Sequence, residues 1–168
     1  MAAKGDGHSM LIGVALHKGM DVSAVGYHWA LVMHPQTYDA PLVRTYELVN
    51  RDDNGRPTAW KTRFSQKPLY GSTRLVGVVH VGRVSASEND LDEFFSGFGP
   101  EREDYPTGGR GWTSIGWVLR CIRYLEMSDL LPLQLTDDEI FVKVLQLGIL
   151  MEEMPSRGQG AAVPRTNL

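Results

Sequence analysis

His28 and Ser114 are the residues of this chain whose types and surroundings offer chemistry. His28 lies in the strand-like run YHWALVMH, flanked by Tyr27 and Trp29. An imidazole on a rigid strand is suited to taking or giving a proton near neutral pH. The alternative is a histidine that is simply hydrogen-bonded at the sheet face. Ser114 follows Gly108-Gly-Arg-Gly-Trp-Thr113, at or near the start of an amphipathic helix. At such a start, free N–H groups and the positive end of the helix dipole stabilise an anion or a developing oxyanion. Serine and threonine also occur there as ordinary caps. A nucleophilic serine needs an adjacent base. The neighbouring Gly111 and Gly116 stand three before and two after Ser114, so the Gly-x-Ser-x-Gly elbow is absent.

Other candidates are weaker. Cys121, the single cysteine, falls seven residues beyond Ser114, about 10 Å further along the helix. It reads as a buried small hydrophobe, and one cysteine excludes a disulfide framework. Gly108–Gly111 with Arg110 lacks the Lys-Ser/Thr of a phosphate loop; it is a linker or a small-anion site. The five histidines have no metal-ligand spacing, so neither metal nor cofactor is expected. The aromatics Trp29, Tyr46, Trp60 and Trp112, with Thr113, are the candidate walls of a small-molecule pocket, core filling being the alternative.

The elements that must position these groups follow from periodicity. Residues 10–17, 27–34, 42–49, 59–64 and 73–84 read as strands. In residues 27–34, Trp29, Leu31 and Met33 share one face, and His28, Ala30, Val32 and His34 the other. In residues 42–49, Val43, Thr45, Glu47 and Val49 oppose Leu42, Arg44, Tyr46 and Leu48. Asn54-Gly55 marks the tip of a hairpin. Gly77 and Gly82 signal a bulge, a bend or close packing. Ser87-x-x-Asp90 and Thr136-x-x-Glu139 cap helices over residues 89–98 and 137–153. A third helix over residues 113–127 has an apolar stripe of Ile115, Val118, Leu119, Ile122 and Leu125.

The expected fold is one α+β domain over residues 10–154: an antiparallel sheet of about five strands, packed by about three helices. Flexible ends are expected at residues 1–9 and 155–168. The length of 168 residues allows one core. A net charge of −3 and no basic stripe argue against nucleic acid, and no apolar run is long enough for a membrane span. A cytoplasmic location and, as an option, a homodimer are the remaining expectations.

The order Tyr27-His28-Trp29-Ala30-Leu31, Tyr46-Glu-Leu-Val-Asn50, Trp60, the 78–84 strand and Trp117-Val118-Leu119 resembles a family of small fungal proteins. The likeness covers residues 11–131. It implies an arrangement similar to the circularly permuted papain-like group, which includes lecithin:retinol acyltransferase-type enzymes. There a strand histidine precedes a nucleophilic cysteine at a helix start. The resemblance places His28 at the histidine, Thr113 at a preceding asparagine and Ser114 at the cysteine. It leaves Tyr46 or His80 as the group orienting the imidazole. Serine in the cysteine position departs from that pattern, since it removes the thiolate such a site depends on. The expected function is therefore a cofactor-free cyclase or isomerase acting on a small molecule such as a biosynthetic intermediate. Its cleft would lie between the His28 strand and the Ser114 helix, with His28 moving the proton and Ser114 stabilising an oxyanion. The alternatives are a serine-variant hydrolase or acyltransferase, and a catalytically inactive binding module.

Overall fold

A computed structural model describes residues 9–19, 26–101, 113–155 and 162–168. The strands are β1 (Met10–Lys18), β2 (Tyr27–His34), β3 (Val43–Arg51), β4 (Pro57–Lys67), β5 (Leu75–Val84) and β6 (Arg165–Asn167). Between β5 and β6 come α1 (Glu88–Ser96), α2 (Ser114–Met127) and α3 (Asp137–Glu153). They form one sheet in the order β4-β3-β2-β1-β5-β6, antiparallel except for the β5–β6 pair. The chain is thus a single α+β domain, its sheet packed by three helices.

Strand periodicity sorts the core into two layers. Ile12, Val14 and Leu16 of β1, Trp29, Leu31 and Met33 of β2, and Tyr46 and Leu48 of β3 face the helices. They meet Leu91 and Phe95 of α1, Ile115, Val118, Ile122 and Leu125 of α2, and Ile140, Val144 and Met151 of α3. On the opposite face, Leu11, Ala15, Ala30, Val32, Val43 and Val78 are covered by Tyr38, Leu69 and Val163, which come from connecting segments. Central β1 is buried on both sides, which is why its sequence is almost continuously apolar.

The helix ends obey their local signals. Ser87 with Asp90 and Thr136 with Glu139 form reciprocal capping boxes. The hairpin expected around Asn54-Gly55 joins β3 to β4, with Glu47 opposite Arg63.

The C-terminal end differs from expectation. The loose tail expected from residue 155 ends in a sixth strand. Val78 N–H donates to Pro164 O at 2.8 Å, and Leu168 N–H donates to His80 O at 2.9 Å. Small, polar residues signalled a loose end. The outer edge of β5, however, offers unpaired backbone groups that a returning strand satisfies, and Val163 is apolar enough to be buried beside it. Residues 1–8 and 156–161 lie outside the described residues.

Gly77 makes that return possible. A Cβ at this position would lie 2.4 Å from Met151 Sδ and 2.9 Å from the Pro164 carbonyl oxygen. Met151 has a flexible end, but the backbone oxygen cannot give way without moving β6. Gly77→Ala is expected to lower the unfolding free energy by about 1–3 kcal/mol, the usual cost of overpacking. Denaturant melts check this, and an unchanged midpoint would show that the β5–β6 contact yields freely.

Candidate functional site

The sheet is not continuous between β2 and β3. Their ladder comprises three pairs, Leu31–Tyr46, Val32–Thr45 and Met33–Arg44. By contrast, β1 stays paired with β2 to the end, through His17–His28 and Lys18–Tyr27. The first half of β2 therefore parts from the second half of β3. Backbone groups that lose a strand neighbour while buried need another partner. One of them, the Trp29 N–H, donates to Ser114 Oγ at 3.1 Å. The start of α2 thus closes the opening on the helix side.

On the other face, side chains cross the gap. His28 Nε2 and Glu47 Oε2 are 2.8 Å apart, with both residues buried. The second carboxylate oxygen of Glu47 accepts from Arg63 Nε at 3.0 Å and Nη2 at 2.8 Å, while Arg63 Nη1 reaches Asp53 at 3.4 Å. Lys67 Nζ stands 4.0 Å away. Burial by itself would raise the Glu47 pKa. The hydrogen bond from His28 and the charges of His28, Arg63 and Lys67 outweigh it and hold the carboxyl at about 2. Glu47 is therefore an acceptor, and His28 Nε2 carries the proton that it donates. His17 lies opposite His28 with ring centroids 6.3 Å apart. Burial, then the charge of His28, lowers its pKa to about 4.

A cavity of about 710 Å³ opens at this end of the sheet. Its lining includes His28, Leu48, Val49, Trp60, Arg63 and Arg74, together with the turn between β3 and β4. The volume is ordinary for a small-molecule site. Among the described residues, no three His, Cys, Asp or Glu side chains converge to hold a metal ion.

The residues singled out from sequence do not all meet here. His28 lines the cavity, and so does Trp60. Trp29 is fully buried in the helix-side core and stacks on Phe141 at 6.1 Å. Tyr46 donates to Asp92 and packs between Phe64 and Phe95. Thr113 is the cap of α2, its Oγ1 accepting from Gly116 N–H at 3.0 Å, which makes Ser114 the first helical residue. Cys121 is buried in the core. Trp112 and Gly108–Gly111 fall outside the described residues.

The encounter of His28 with Ser114 is not made. Successive strand side chains point to opposite faces. Trp29 points toward α2, so His28, like Ala30 and Val32, points away from it. The cavity that His28 lines lies on the other side of β2 from Ser114. The expected orienting groups are also elsewhere: Tyr46 is bonded to Asp92, and His80 Nδ1 lies 2.9 Å from the Tyr38 hydroxyl. Glu47 holds the imidazole instead.

Glu47, Arg63 and His17 were missed by inspection of the sequence. The available signal was Glu47 itself, a carboxylate alternating with Val43, Thr45 and Val49 on a strand face that has to be buried. Such a group needs a cation or donors beside it. Counting back from the Asn54-Gly55 tip would have set Thr62 opposite Glu47; the register shift between Val49 and Arg51 is what brings Arg63 there.

Ser114 has a structural duty that can be measured. Ser114→Ala leaves the Trp29 N–H without its acceptor and is expected to cost about 1–3 kcal/mol. Faster hydrogen exchange at the Trp29 amide should accompany the loss, and an unchanged exchange rate would rule the duty out.

Compared with known protein families, curated proteins and solved structures, the chain matches none.

Proposed function

We propose that this protein binds a small molecule in the cavity where β2 and β3 part, and catalyses a cofactor-free proton transfer of the isomerase or cyclase type. His28 is the proton-transfer group and Glu47 the residue that fixes its ring; His28 itself, and then Arg63, keep Glu47 ionised. The observation that carries the reading is a buried imidazole on a cavity wall whose Nε2–H is held by a buried carboxylate. A carboxylate in that position sets the tautomer and ring orientation and stabilises the cationic form, as a general acid–base requires. Trp60 supplies an apolar wall.

Ser114 has no place in this chemistry. It is fully buried, and its Oγ accepts from the Trp29 backbone on the far side of β2. A fluorophosphonate is therefore expected to leave it unlabelled. Labelling that is lost in Ser114→Ala would turn the reading to a serine hydrolase or acyltransferase. Proton transfer itself is tested by incubating the protein with a panel of small carbon acids in D2O and following deuterium uptake by NMR. Catalysed exchange is expected for at least one compound, falling to the protein-free rate in His28→Gln. Exchange that survives His28→Gln would refute the assignment of the base. No catalysed exchange by the wild type, together with ligand binding at the cavity, would make the domain a binding module.

A further inference from the structure

The charged groups around the cavity are not equally committed. Arg63 gives Nε and Nη2 to Glu47 and Nη1 to Asp53. Arg51 gives Nη1 to the Gly55 carbonyl, and Asp52 Oδ1 accepts the N–H groups of Asn54 and Arg56, which closes the turn. Arg74 also lines the cavity, yet its guanidinium has no hydrogen-bond or carboxylate partner among the described residues. Its main chain is nonetheless tethered, since the Arg74 carbonyl accepts from Lys18 N–H at 2.9 Å. Arg74, an exposed residue, therefore brings to the cavity lining a guanidinium on an anchored backbone whose donors no described residue takes.

We propose that the cavity selects a monoanionic carboxylate carried on a flat apolar body, with Arg74 taking the carboxylate and Trp60 the flat face. This deepens the proposed function and rests on its cavity being the ligand site. Guanidinium donors form a planar fork that matches the two oxygens of a carboxylate or phosphate. Asp52 and Asp53 on the same lining set the number of charges. They offset the positive charge of Arg51 and Arg74, so a dianion meets little net attraction to repay its larger desolvation cost, which disfavours a phosphate monoester relative to a carboxylate. Among the described residues the indole of Trp60 is the large aromatic surface of the lining, and stacking on it favours a planar body over a branched polar one.

The test is a set of titrations of the full chain with indole-3-acetate, its neutral amide and phenyl phosphate, followed by calorimetry and by the Trp60 indole N–H signal. Indole-3-acetate is expected to bind and to shift that signal, with the amide and the phosphate at least about tenfold weaker. Arg74→Gln should weaken the carboxylate by about 10–100-fold, bringing it level with the amide, because a charge-assisted bidentate contact is lost. Arg83→Gln, an exposed arginine outside the cavity, should leave binding unchanged. The proposal is overturned if carboxylate and amide bind alike, if the phosphate binds best, if Arg74→Gln has no effect, or if none binds at millimolar concentration. Deuterium exchange separates this from the broader reading. Carboxylate-selective binding without catalysed exchange refutes the proton-transfer function, whereas catalysed exchange without carboxylate selectivity refutes the role of Arg74.

Discussion

Replacing Glu47 by alanine is expected to destabilise the fold by about 3–5 kcal/mol, the range for breaking a buried ion pair by removing one partner. For a chain of this size that lowers the melting temperature by roughly 10 °C. The cost comes from what remains. His28 keeps a buried donor without its acceptor, and Arg63 loses the oxygen that took two of its N–H groups. The β2–β3 gap also loses a bridge on the face where backbone pairing has already stopped. A companion variant tests the cause. Glu47→Leu combined with His28→Leu and Arg63→Leu removes all three polar groups together and should recover most of the loss, since apolar replacement of a buried ionic cluster is often neutral. If the triple variant is as unstable as Glu47→Ala, unpaired charge is not the reason. A recovered triple variant without proton-exchange activity would assign the cluster to function rather than to folding.

Acid is expected to weaken the protein in two stages set by two different groups. The pKa of His17 is lowered from 6.5 to about 4 by burial and by the charge of His28. Between those values the unfolded chain binds a proton at this position that the folded chain refuses, so stability falls as pH falls from 6.5 to 4. The pKa of Glu47 is depressed from 4.5 to about 2. Its contribution is complete above 4.5 and is lost as pH falls through 2. One pKa unit corresponds to about 1.4 kcal/mol, so each group contributes on the order of 3 kcal/mol. Both are largely buried, and solvent screening takes little from either. Urea melts at intervals between pH 7 and pH 2.5 should show a steady decline with no plateau near pH 5. His17→Gln should flatten the upper stage and leave the lower one. A decline confined to pH below 4 would mean that His17 is not protected from protonation.

Both predictions concern residues that the sequence showed only in part. His28 was visible because a histidine interrupts an apolar strand. Its face was visible too, since alternation set it opposite Trp29. Which face α2 would cover was not visible. Once Trp29 enters the helix-side core, the parity of the strand forbids His28 from reaching Ser114. Glu47 was passed over because one carboxylate in a strand looks like a solvated position until the sheet face is known to be covered. Ser114 carries the cap signal in the sequence, whereas local chemistry makes its neighbour Thr113 the cap. The acceptor role of Ser114 depends on a residue 85 positions away.

Short-range sequence signals set where the chain turns, caps and alternates. The Asn54-Gly55 hairpin, the two capping boxes, the apolar stripe of α2 and the two faces of β2 are consequences of backbone preferences within a few residues. Tertiary structure alone decided that β2 and β3 part after three pairs, that Glu47 and Arg63 close on His28, and that the end of the chain returns as β6. The reason is physical. Local signals act through bonds and contacts spanning at most a turn or a hairpin. The fate of a polar group on a strand depends on which distant surface is packed over it, and that is settled by burying the whole apolar area at once.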